Sequence, residues 1–169
     1  MKTIEIKIYE FSELSEDAKD NAIEKLHNIN VNYDWWQFVY EDAKNIGLKI
    51  TEFDLCQYCK GELLLSACEV AQNIFNEHGE NCETYKTATN FMNLWQLVFN
   101  EYMNENSKLY ESAESEEDLQ YLESEFLNDL LADYLTMLNN EYEYLTSEKA
   151  IIETIEANEY QFTADGEIY

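Results

Sequence analysis

This 169-residue chain sets thirty-six aspartates and glutamates against ten lysines and no arginine, for a formal charge of −26. A field that negative repels nucleic acid and anionic lipid, which excludes direct nucleic-acid and membrane-surface binding, and it attracts proteins with basic surfaces. At 46% hydrophobic and 14% aromatic the chain is too apolar for an acidic disordered segment, and with no proline and four glycines it has no visible linker or Gly-rich phosphate loop, so one domain over 1–169 is expected.

In chain order, residues 2–9 alternate, with Ile4, Ile6 and Ile8 on one face, and predict a half-buried strand rather than a signal peptide. Ser12 or Ser15 can cap a helix over 14–29 that carries Ala18, Ala22, Ile23 and Leu26. Asp34 is placed to cap a second, with Trp35, Trp36, Val39, Ala43 and Ile46 on its apolar side and Gly47 as its stop. One of the two tryptophans has to point off that face, where it can serve as a contact anchor. Leu48–Leu55 reads as a strand with a bulge near Thr51, and 58–64 as its hairpin partner. Ser66 opens a helix through Val70, Ala71, Ile74 and Phe75, which Gly79 closes.

From Cys82 the pattern stays helical, with Tyr85, Ala88, Phe91, Trp95, Val98 and Phe99 in one stripe. After an acidic break at 111–118 a second stripe runs through Phe126, Leu130, Tyr134 and Leu138, so two amphipathic helices are expected to pack as an antiparallel hairpin. Ser147 caps a short helix to Ala157, Glu159–Thr163 is a last strand, and Asp165-Gly166 marks a turn. The expected class is α+β: a small antiparallel or mixed sheet of about three to four strands, packed with several helices that include a long acidic helical hairpin. No apolar run approaches membrane-spanning length, and a cytoplasmic protein is expected.

The acids are uneven: residues 101–169 hold nineteen of them against two lysines. At about 100° per residue, Glu114, Asp118, Glu125, Asp129 and Asp133 fall within about 100° of one another. Glu125, Asp129 and Asp133 are successive i,i+4 neighbours, each like-charge pair unfavourable by about 0.2–0.5 kcal/mol, with no lysine interleaved. Such a row, spaced about 6 Å per step, can stand in for phosphates in a basic groove. The expected partner-binding residues are Glu101, Glu105, Glu114, Glu117, Asp118, Glu125, Asp129 and Asp133. A generic solubilising surface is the plainer reading, although a small domain needs a net charge of only about 2–8 for that.

Cys56-x-x-Cys59 with His78 and Cys82 offers a four-ligand zinc alternative; otherwise the cysteines flank a hairpin turn and His78 sits at a helix end. The preferred expectation is no metal and no cofactor. No nucleotide or metalloprotease motif occurs, and with so many acids any carboxylate pair is uninformative, so no enzyme activity is expected.

Tyr9-Glu10-Phe11-Ser12-Glu13-Leu14-Ser15-Glu16-Asp17-Ala18-Lys19-Asp20-Asn21-Ala22-Ile23 resembles the opening Y-x-F-x-E-L-S-x-x-A-K-x-x-A-I of a family of small acidic phage and mobile-element proteins. Tyr144–Asn158 is similar to that family's end. The resemblance implies a source and carries no catalytic residues. In character the chain also resembles the anti-restriction and anti-CRISPR proteins that mimic nucleic acid. That likeness implies a basic nucleic-acid-binding partner in the host cytoplasm, a CRISPR effector or restriction enzyme. The alternative is an accessory or antitoxin-like binding module whose acidity serves solubility.

Overall fold

The computed structural model describes residues 7–103 and 114–169. Among the described residues are six α-helices and four short strands, the α+β content that the patterning predicts. The order is β1 (Tyr9–Glu10), a 3-10 turn at Phe11–Glu13, α1 (Glu16–Lys25), α2 (Gln37–Ile46), β2 (Leu48–Asp54), β3 (Tyr58–Leu63), α3 (Ala67–Glu77), α4 (Glu83–Met103), α5 (Glu114–Leu145), α6 (Glu148–Ala157) and β4 (Gln161–Phe162). The strands form two separate antiparallel pairs, β1 with β4 and β2 with β3. Most of the first expected strand, residues 2–6, lies outside the described residues.

The helix starts follow the short polar side chains. The hydroxyls of Ser15, Ser66 and Ser147 accept from the backbone N–H groups of Ala18, Glu69 and Ala150. Each satisfies a helix-end donor that would otherwise lack a partner. Gly47 ends α2 at φ 94°, a left-handed conformation that costs a side-chain-bearing residue more. The β2–β3 register slips between Ile50 and Glu52, placing the bulge at Thr51.

The last strand is Gln161–Phe162, shorter than the expected Glu159–Thr163, and four other boundaries differ from the pattern. α1 stops at Lys25 instead of continuing to 29, because the next residues fold as tight turns, Ile29 N–H to Leu26 carbonyl (2.8 Å) and Val31 N–H to Asn28 carbonyl (3.0 Å). Within that turn the buried Asn30 donates to the Leu145 carbonyl (3.0 Å) and accepts from the Thr154 hydroxyl (2.7 Å), which fixes its backbone out of the helix. The N-cap of α2 is Trp36, not Asp34, and its side chain makes no capping bond. α3 ends with His78 at its C-cap, one residue before Gly79. The acidic stretch is helical from Glu114 onward, as acids in a first helical turn are favoured by the helix dipole.

The contacts group into two compact units. One joins Met1–Trp35 to Asn140–Tyr169; the other is Trp36–Asn139. In the first, Phe11, Leu14, Ala18, Ala22, Ile151, Ile155 and Phe162 form the core, with the Phe11 and Phe162 rings 6.0 Å apart. Trp35 is buried and packs 5.7 Å from Tyr142. In the second unit α2 covers β2, and Trp36 is half-buried, edge-on to Phe53 at 5.8 Å. Neither tryptophan is the exposed anchor expected from the pair; the exposed aromatics nearby in sequence are Tyr33 and Phe38.

α4 packs on α3 through an edge contact of Phe75 and Tyr85 (5.0 Å). α5 packs on α4 through the stacked rings of Phe91 and Phe126, 4.2 Å apart, and through the Thr87 hydroxyl, which donates to Asp133 Oδ2 (2.7 Å). Positions rise along α4 as they fall along α5, so this is the antiparallel hairpin that the two stripes predict. No helix among the described residues is long and apolar enough to cross a membrane.

At Gly166 (φ 83°) the backbone runs against the Ala18 carbonyl, where an added Cβ would collide. Gly166→Ala combines that clash with a left-handed backbone. It is expected to cost about 2 kcal/mol or more, read as a lower urea midpoint with an unchanged slope.

Candidate functional site

α5 presents its carboxylates in two settings. Glu117, Asp118, Glu125 and Asp129 are exposed, and none forms an ion pair with a lysine among the described residues. By helical phase Asp129, Asp118 and Glu125 lie about 60–100° from Phe126, on the flank away from Leu130, Tyr134 and Leu138, and Glu117 lies across the helix from Phe126; those four apolar residues are all buried. Tyr121, 63% exposed, stands among them, four residues from both Glu117 and Glu125.

Asp133 is different. It is half-buried at the seam with α4, where it accepts from Thr87; burial holds its carboxyl above the usual range against the opposing Thr87 hydrogen bond, with Glu83 and Asp129 adding to the effect and Lys86 also opposing it. The row of freely displayed acids therefore ends at Asp129. Glu101 lies in α4 and Glu114 opens α5, but their side chains lie outside the described residues, as does Glu105 altogether.

A second cluster, absent from the sequence-based expectations, sits inside the same unit. The buried Tyr134 hydroxyl donates to Asp42 Oδ2 at 2.7 Å. His78 Nδ1 shares a 2.7 Å hydrogen bond with the fully buried Thr84 hydroxyl, and its Nε2 lies 3.5 Å from Asp42 Oδ2. That last gap is long for a hydrogen bond, and Nε2 has no other partner among the described residues. The His78 ring beside it holds the Asp42 carboxyl below its ordinary value; partial burial works against this and the Tyr134 hydroxyl works with it. Burial and the Asp42 charge push the Tyr134 phenol far above its ordinary value, so it stays a proton donor. The Thr84 hydroxyl is fully buried, and these bonds make a polar clasp between α2, the α3–α4 junction and α5.

The cysteines do not form a centre. Cys56 is exposed in the β2–β3 turn, where its N–H donates to Asp54 Oδ1 (3.0 Å), and Cys59 follows in β3. Burial pushes the Cys59 thiol up to about 11, the reverse of what a redox thiolate requires. Among the described residues no three His, Cys, Asp or Glu side chains converge to hold a metal, and Cys56, Cys59, His78 and Cys82 are not brought together as one.

Compared with family models, curated proteins and solved structures, the chain matches none of them.

Two outcomes follow from the carboxyls that carry opposite shifts. Asp42 is lowered in the fold, so its stabilising contribution is complete above its unfolded value of about 4 and is lost as pH falls through that value and below it. Asp42→Asn should flatten the acid limb of a melting-temperature profile measured between about pH 6 and pH 3. Asp133 is raised, so its ionisation weakens the fold as pH climbs above about 4. Asp133→Asn keeps an acceptor for Thr87, and is expected to raise the melting temperature at neutral pH and to leave it unchanged near pH 3.

Proposed function

We propose that this chain is a non-enzymatic inhibitor of phage or mobile-element origin. In this reading it occupies the basic nucleic-acid channel of a host defence nuclease, by preference a CRISPR effector and otherwise a restriction enzyme. The observation that carries the proposal is the set Glu117, Asp118, Glu125 and Asp129, exposed and without a lysine partner among the described residues, on one helix that buries Phe126, Leu130, Tyr134 and Leu138.

A helix advances about 6 Å over four residues, a step on the scale of the charge spacing along a nucleic-acid strand. Glu125 and Asp129, fixed at that spacing with Asp118 two turns before them, present a basic groove with anions that need no further ordering, and the groove exchanges its counterions for them as it does for phosphate. The long-range field of −26 steers such a partner in and keeps nucleic acid out of the encounter. Tyr121 adds an aromatic face beside the acids, on which Lys or Arg can stack.

The test is plasmid cleavage by a panel of purified CRISPR effectors and restriction enzymes with the protein added. At least one should be inhibited. That inhibition should weaken steeply as salt rises from about 0.05 M to about 0.5 M, and Asp118→Lys with Glu125→Lys and Asp129→Lys should reduce it about tenfold or more. Inhibition that ignores both the reversal and the salt would sink the proposal and favour a binding module whose charge serves solubility.

A further inference from the structure

We infer that the outer groove of the α4–α5 hairpin is a docking site for a basic amphipathic helix of a partner protein, gripped by Leu94 and Leu97 on one wall and by a row of carboxylates on the other. The inference deepens the inhibitor reading and rests on it for the partner's positive charge, but the anchoring it assigns is apolar.

On a 21-residue helix whose core-facing side includes the buried Ala88 and Phe91, Leu94 is 50% exposed and Leu97 is 62% exposed. They are three residues apart and so share one face. The contacts of the hairpin fix which way that face looks. Thr87 opposite Asp133 and Phe91 opposite Phe126 set an antiparallel register. Continued along the two helices, it brings Leu94 level with Leu122 and Glu125, and Leu97 level with Tyr121.

Helical phase gives the side. On α5, Asp129, Asp118 and Glu125 follow Phe126 in that rotational order, on the flank away from Leu130 and Tyr134. On α4, Leu94 and then Leu97 follow Phe91 in the matching order, away from Ala88. Because the helices are antiparallel, the two flanks open on the same side of the seam. The groove thus has an apolar wall from α4, the half-buried Leu122 at its base and a carboxylate wall from α5.

The charge decides the occupant. A second copy would bring another −26 to a groove already lined by Asp118, Glu125 and Asp129, and like charge across an interface is strongly opposed. Nucleic acid is excluded on the same ground and has no use for exposed leucines. A helix with apolar residues at i and i+3 or i+4, flanked by Lys or Arg, satisfies both walls at once.

The probe is a synthetic helical peptide with leucines at that spacing and lysines on both flanks, against a control in which serines replace the leucines at equal charge. The 169-residue chain should bind the leucine peptide about tenfold or more tighter by anisotropy, with amide shifts confined to residues near 90–97 and 118–129. Leu94→Ser and Leu97→Ser should each remove most of that preference. Circular dichroism confirms the fold, and the milder Leu94→Ala repeats the test. Equal binding of the two peptides, or indifference to the leucine substitutions, would overturn the proposal and leave phosphate mimicry standing. Failure of charge reversal to relieve nuclease inhibition would instead remove the mimicry and leave the leucine preference in place. Sedimentation at about 0.5 M salt showing self-association abolished by Leu94→Ser would also overturn it, since a second copy would then cover the face.

Discussion

The seam between α4 and α5 governs what this protein can display. The Phe91 and Phe126 rings, stacked at 4.2 Å, set the rotation of α5, and the Thr87–Asp133 bond sets its height. A stacked aromatic pair adds about 0.5–1.5 kcal/mol beyond the area it buries. A turn of α5 by one residue, about 100°, that set Glu125 where Phe126 packs would carry Asp118 and Asp129 toward the seam with it and bury the carboxylate row. The surface that α5 turns to solvent is therefore decided by a contact on its inner side.

That contact has a burden to carry. Glu125 and Asp129 sit one helical turn apart with no lysine between them, and the pair opposes the helix by about 0.2–0.5 kcal/mol. The residues that offset it lie on the other side of the same turns: Phe126, Leu130, Tyr134 and Leu138 are essentially removed from water, each worth about 1.5–3 kcal/mol of transfer on the usual scale. Tyr134 does more, because its hydroxyl reaches Asp42 and ties α5 to α2. The helix is acidic where it faces solvent because it is so apolar where it does not.

Much of this was legible from residues close in sequence. Ser15, Ser66 and Ser147 each start a helix three residues before the N–H that they cap, Gly47 ends one, and the phase slip at Thr51 marks the bulge. Those signals are local, so one chain segment contains both the cause and the effect. What escaped depends on distant partners. The division of four strands into two pairs follows from β1 finding β4 across most of the chain. The Asp42–His78–Thr84–Tyr134 clasp joins positions in four segments, and no spacing rule links them. Asp133 is the instructive case among the acids. A helical wheel places it on the edge of the acidic arc, but whether an edge residue meets water or a neighbour depends on the neighbour, here Thr87.

The exposed leucines of α4 change what the acidic row has to achieve. Charge across an interface speeds encounter and sets orientation, yet it fades within about 8 Å at physiological salt and contributes most before contact. Residence time comes from desolvated apolar contact at the centre of a patch. A surface of carboxylates alone would be fast and indiscriminate toward every basic groove in a cell crowded with them. In the proposed interface, Leu94 and Leu97 beside Asp118, Glu125 and Asp129 would make attraction general and retention selective, because only a basic partner that also carries apolar residues at the right spacing would gain from both walls. The same leucines would be a liability in a neutral protein, where copies would meet through them; the net charge that would recruit the proposed partner also opposes contact between copies.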